Sequence, residues 1–294
     1  MKKVLFLSLA SLFATTLLAQ TEFNYVLSSD GAGWHTIQVA PTKQQSLGNE
    51  TMEFFYDYSF QMDTLNPKSL LSDQMILQLN DTLSRFSSFT NLRIDSILSV
   101  KSQKELMEHS NQLKGGETFS VFKNYPKGKL TFTDQISTDW YRFEEEIPSF
   151  NWTFIDSTKV ILGYHCQRAE CNFRGRHYIA WYTLEIPISN GPWKFGGLPG
   201  MILEIADSRG QYTFTLIGIT PKGHRSINMP QLKYFNTTRA KYYKVRYKFD
   251  YDPFDYFATV SGINITLYKA DGSLDTERKK PKKMTYTYIE KDVL

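Results

Sequence analysis

Along Phe54 to Met62, in FFYDYSFQM, aromatic and polar side chains alternate with the period of two that a half-buried strand requires. The stretch MILQLNDTLSRFSSF, Met75 to Phe89, alternates on both sides of Asn80-Asp81, a pair suited to a turn with positive φ, and predicts a hairpin. From Asn91 to Leu113 the period changes: Ile94, Ile97 and Leu98, then Leu106 and Met107, fall at helical spacings, and Gly115-Gly116 supplies a stop. Strands return in FSVFKNYPKGKLTFTDQI, with Pro126-Lys127-Gly128 as the turn between two arms, and YRFEEEIPSFNWTF follows as a polar connector. KVILGYHCQRAECNF and RHYIAWYTLEIPI then pair across Arg174-Gly175, and MILEIA pairs with QYTFTLIGI across Asp207 to Gly210.

Near the end of the chain, residues 236–257 carry both periods. Val245, Tyr247 and Phe249 alternate with basic residues, but Tyr243, Tyr247 and Tyr251 fall at helical spacing between an N-cap in Asn236-Thr237-Thr238 and a stop at Pro253, and helix is favoured. The tail MTYTYIE suits a last strand. The expected fold is mainly β (α+β): a single antiparallel, curved sheet or half-open barrel with one or two covering helices, in one domain spanning 20–294.

Composition sharpens this picture in two ways. Aromatic residues are 15% of the chain, with Tyr and Phe far outnumbering Trp, which favours sheet over helix bundle. Residues 1–19 read as a secretory signal, with Lys2 and Lys3 ahead of an apolar core and cleavage expected after Ala19. The expected location is therefore periplasmic or otherwise exported, with no transmembrane span once the signal is gone. Losing those two lysines lowers the formal charge from +4 to +2, too weak a bias to call for nucleic acid.

Candidate chemistry is sparse. Cys166 and Cys171, the two cysteines, would meet an oxidising compartment. On one regular strand, five steps of ~3.3 Å set them about 16 Å apart and on opposite faces, so a disulfide needs a bulge or turn between them, and both states stay open. His165, Cys166, Cys171 and His177 lie close in sequence, but strand alternation divides them between two faces; no metal and no cofactor is assigned. Gly-x-Ser-x-Gly and His-Glu-x-x-His are missing, so catalysis is unsupported and stays an open alternative.

The glycine-rich GPWKFGGLPGMILEI, Gly191 to Ile205, lacks the Gly-Lys-Ser/Thr ending and the helix that a phosphate loop needs. Leu198-Pro199-Gly200-Met201 fits a type II turn, with Gly200 at positive φ, while Gly196 and Gly197 allow a close backbone approach or unusual torsions.

The whole run GYHCQRAECNFRGRHYIAWYTLEIPISNGPWKFGGLPGMILEI resembles the signature of the GLPGLI family of exported proteins from Bacteroidota-type Gram-negative bacteria. Met201 stands in place of the eponymous leucine. The resemblance implies location more than activity, since the family has no established biochemical function; its pattern has a cysteine at Cys166 and none at Cys171. By fold-level analogy the strand order is similar to half-open barrels that carry lipid or lipoprotein in the periplasm.

The functional expectation is an exported, non-enzymatic envelope protein that binds an apolar or amphipathic ligand, or a protein partner, in a curved β-sheet. Trp181, Phe195 and Leu198 are candidates for the groove wall and Arg176 for its rim, against a purely packing role for all four. The ligand version requires a cavity of at least ~300 Å³. The alternatives are a structural module that docks on an outer-membrane complex without a small ligand, and a Cys/His metal-binding protein.

Overall fold

The computed structural model describes residues 43–49, 52–100, 115–223, 225–259 and 287–292, together with the short strands Val4–Phe6, Tyr25–Ser29, Trp34–Gln38 and Asn264–Thr266 and residue Ser273. Apart from Val4–Phe6, the export segment lies outside the described residues, as do Leu106 and Met107.

Numbering from residue 44, the chain forms β1 (Gln44–Asn49), β2 (Met52–Gln61), β3 (Leu70–Leu79), β4 (Ser84–Ser88), α1 (Phe89–Val100), β5 (Ser120–Lys123), β6 (Lys129–Ile136) and β7 (Asp139–Glu146). There follow β8 (Thr153–Ile161), β9 (Tyr164–Phe173), β10 (Arg176–Thr183), β11 (Met201–Asp207), β12 (Tyr212–Thr220), β13 (Ser226–Pro230), β14 (Tyr234–Asn236), α2 (Arg239–Tyr251) and α3 (Pro253–Thr259). Twelve of these strands make one sheet in the order β8-β9-β10-β11-β12-β2-β3-β4-β5-β6-β7-β14. Every pairing is antiparallel except β7 with β14, so the sheet is mixed at that edge. β1 and β13 pair separately.

The sheet curls without closing. Arg174, at the tip of the β9–β10 hairpin, sits 2.9 Å from Glu145 on β7. Those strands stand second and eleventh in the order. Nine spacings of ~4.8 Å would hold them roughly 43 Å apart in a flat sheet, far beyond the reach of two side chains. The concave face therefore encloses the main core, in which Tyr56, Tyr58, Phe86, Phe132, Tyr178 and Phe214 are buried. α2 closes over this face, with the Tyr242 ring 5.3 Å from Phe132 and 5.5 Å from Phe143. α1 covers the opposite face: Phe89 packs edge-on to Phe55 at 4.9 Å.

The turns follow the residues that make them. Arg174 and Gly175 take φ of 52° and 77°, the left-handed pair that a two-residue hairpin with native twist demands. At Asn80-Asp81 neither residue has positive φ; the Asn80 side chain instead accepts from the backbone N–H groups of Thr82 and Leu83, closing a longer loop. The connector read at Tyr141 to Phe154 is shorter than expected, because its first half lies in β7, where Tyr141 and Phe143 point inward. Residues 287–290 run along the sheet without joining it as a strand.

Candidate functional site

Residues 184–200, which carry the glycine-rich motif, enter the curled sheet and fill one part of it. Trp193, Lys194, Phe195 and Leu198 are each no more than 1% exposed. Phe195 packs edge-on to Tyr178 at 4.7 Å. From the far side, the ammonium of Lys123 on β5 donates to Asn190 Oδ1 and the Gly191 carbonyl, each at 2.8 Å, and to the Phe195 carbonyl. Trp193 holds φ of 48°, a conformation a bulky residue keeps only where its surroundings over-determine it.

The type II turn expected at residues 198–201 is not what the glycines provide. Gly197, with φ of 80°, takes the left-handed conformation, and Gly200 does not. A Cβ at Gly200 would lie 1.9 Å from the Thr183 carbonyl oxygen, so this glycine permits two backbone segments to touch. The Gly196 carbonyl accepts from the Trp152 indole N–H at 2.9 Å. The segment acts as a plug.

Its central residue escapes pattern reading. Lys194, 1% exposed, pairs at 2.5 Å with both Glu145 and the fully buried Glu290. Arg174 and Arg239 complete the cluster, reaching Glu145, Glu290 and Asp292. Three cations face three carboxylates, which ties residues 287–292 and α2 to the plug and sheet. The signal was the lysine itself, embedded between Trp193 and Phe195 in an apolar run.

Beside the plug, between the concave face, α2 and the 287–290 segment, remains a cavity of about 110 Å³. Buried Tyr58, Phe119, Phe132, Trp193, Tyr212 and Tyr243 supply aromatic lining. The half-buried residues Glu117, Arg246 and Asp250 and the buried Asp134 also line it.

Most of this charge is already satisfied. Arg246 pairs with Asp250 at 3.0 Å and Asp134 at 3.4 Å. Asp134 also accepts from the hydroxyls of Thr118 and Tyr242, and Asp250 from that of Tyr288. Glu117 differs. Its backbone N–H donates to Asp73 Oδ2 at 2.8 Å and its carbonyl accepts from Asn91, yet among the described residues no donor reaches its carboxylate. Desolvation pushes the Glu117 carboxyl up to about 8; Arg246 opposes this, while Asp134, Asp73 and Asp250 reinforce it.

The proposed groove residues do not converge on this cavity. Arg176 lies at no rim: it is 5% exposed, bonded to Asp207, Gln211, Thr287 and the Tyr288 carbonyl, and its guanidinium lies over the Tyr212 ring. It latches the 287–288 segment to the sheet. Trp181 alternates with inward-facing Ala180 and Tyr182 and so points to the outer face, under Lys159 at 4.5 Å. Phe195 and Leu198 belong to the plug.

Cys166 and Cys171 are free, buried thiols on the single strand β9, raised by burial to about 11 and about 12. His165 is exposed, while His177 bonds to Glu170 and Asn172 on the outer face. Among the described residues no group of three or more such side chains is placed to hold a metal ion, and no helix is long and apolar enough to cross a membrane.

A family model described as a protein of unknown function (Porph_ging) matches residues 173–204. The matched segment runs from the end of β9 through β10 and the plug into the first half of β11. Two structures of PNGF-II, in the P21 and C2 space groups, are similar at 13% identity, with TM-scores of 0.44 and 0.45. The alignments cover 66% and 68% of this chain but 32% and 33% of those, so the chain spans about a third of their length. No curated protein matches.

Proposed function

We propose that the protein is an exported, non-enzymatic envelope protein of GLPGLI type that binds a small ligand in the cavity beside the plug. The observation that carries the reading is the combination of an aromatic interior with one carboxylate, Glu117, that accepts no hydrogen bond among the described residues. A carboxyl pushed up by desolvation at the wall of a cavity marks a candidate ligand site. At about 110 Å³ the cavity falls well short of the ~300 Å³ that a lipid-sized ligand needs, so the apolar-carrier expectation contracts to a small molecule. Native mass spectrometry of protein taken from its own envelope tests this: a bound small mass, lost on unfolding, supports the reading, and a bare chain that no small molecule shifts in melting temperature overturns it.

A second reading, docking on an envelope complex, is favoured by one feature. β8 is an edge strand whose Phe154 and Val160 are 61% and 60% exposed. Retention of one membrane partner by the wild type, and its loss in Phe154→Lys, would select that reading.

A further inference from the structure

We infer that the cavity takes a small organic cation, an alkylammonium of about four to six non-hydrogen atoms, with the Glu117 carboxylate as its counter-ion and the surrounding aromatic rings as its walls. This rests on the reading of the cavity as a ligand site and names its chemistry.

Size comes first. A cavity of about 110 Å³ is somewhat smaller than the ~150 Å³ space known to hold benzene, which limits the ligand to a handful of atoms. Polarity comes next. Tyr58, Phe119, Phe132 and Tyr212 line it with aromatic rings, and an aromatic lining accepts a cation more readily than an anion.

Charge then decides the sign. Three carboxylates line the cavity, from Glu117, Asp134 and Asp250, against the single guanidinium of Arg246. Arg246 is already paired with both aspartates, so its single positive charge is matched before any ligand enters. Glu117 has no donor at all among the described residues. The groups facing it are Tyr58 on β2, Asp73 on β3, Asp134 on β6, and Arg246 and Asp250 on α2; three of the four charged ones are acidic. An entering ammonium brings N–H donors to Glu117 and a positive charge to a cavity whose acidic groups outnumber its one cation.

Binding then moves a proton. In the empty cavity Glu117 stays protonated near neutral pH, because burial holds its carboxyl up to about 8. A cation binds the carboxylate form, and the displaced proton leaves to solvent, so uptake of one cation at pH 7 releases close to one proton.

Isothermal titration with tert-butylammonium chloride and with tert-butanol separates the possibilities, since the two have the same shape and differ in charge. Sodium chloride at matched ionic strength serves as control, and two buffers of different protonation enthalpy report the proton. The expected result is binding of the ammonium about tenfold or more tighter than the alcohol, with proton release at pH 7, and loss of at least about tenfold in Glu117→Gln. Because glutamine keeps the shape of the side chain, an unchanged melting transition shows that this variant is folded. Equal binding of alcohol and ammonium, or ammonium binding that survives Glu117→Gln, overturns the cation inference while leaving a small-ligand cavity in place. Failure of both probes to bind overturns the inference and counts against the cavity reading as well.

Discussion

Lys194 and Glu117 are both ionisable side chains withdrawn from water inside the curled sheet, and their surroundings treat them in opposite ways. Around Lys194 three cations meet three carboxylates, and the rings of Phe132 and Phe143 lie 5.3 Å and 5.1 Å from its ammonium. Around Glu117 the carboxylates outnumber the cations and an open volume adjoins it. The first arrangement is complete without any other molecule; the second is not. Architecture and site are thus told apart by charge balance and filling, although both lie in the same interior.

The largest effect should come from the plug's backbone. Gly200→Ala would press a methyl group into the Thr183 carbonyl at 1.9 Å, which the segment can relieve only by leaving its place. A loss of more than ~4 kcal/mol, or no folded protein, is expected in denaturant titration. Gly196→Ala is the control, since its nearest contacts beyond chain neighbours would be 3.7 Å away; it should cost less than ~1 kcal/mol. Similar losses in the two would show that the plug does not depend on the contact at Gly200.

Next in size is Lys194→Met, which removes the ammonium between Glu145 and Glu290 and leaves two cations, Arg174 and Arg239, to face three carboxylates. Breaking a buried ion pair on one side typically costs about 3–5 kcal/mol. Adding Glu290→Gln should restore part of the loss by bringing two cations back into balance with two carboxylates, and a double-mutant cycle measures the coupling. If the double variant is no better than additive, the balanced-cluster half of the comparison is wrong.

Glu117→Gln should act in the opposite direction. The free glutamate ionises from its ordinary 4.5, while the folded protein holds the proton up to about 8. Between those values the folded state binds more protons than the unfolded one, so this group's contribution to stability is full below about 4.5 and falls as pH rises through about 8. The amide that replaces the carboxyl cannot ionise, and the variant should be more stable than the wild type by about 1–3 kcal/mol at pH 8.5 and nearly equal at pH 4. A parallel pH dependence in the two proteins would remove the claim that Glu117 is unpaired.

Much of the sheet was legible because period-two alternation and turn pairs such as Arg174-Gly175 are local signals. The curl was not, since it depends on contacts such as Arg174 with Glu145 between residues far apart in sequence. The site was least legible. Glu117 sits next to Gly115-Gly116, which read as a helix stop; a Cβ on Gly116 would lie 2.2 Å from Asp73, so that glycine also admits close packing on β3. Cavity-lining Tyr58, Asp134 and Arg246 come from three separate elements, and no spacing along the chain announces their meeting.

The smallest expected effect tests the same point on Trp181. The sequence placed it with Phe195 as a candidate for the groove wall, but the alternation of β10 puts Ala180 and Tyr182 inside and Trp181 outside. There it is half-buried, stacked under Lys159, whose ammonium also pairs with Glu204 at 2.6 Å. Trp181→Ala removes a cation–π contact worth about 0.5–1 kcal/mol and some apolar cover, so a loss near ~1 kcal/mol is expected. Because Trp181 and the cavity lie on opposite faces of the sheet, tert-butylammonium titration of this variant should match the wild type. A matching loss of affinity would mean that the two faces are coupled through β10, and the line drawn between filled architecture and open site would have to move.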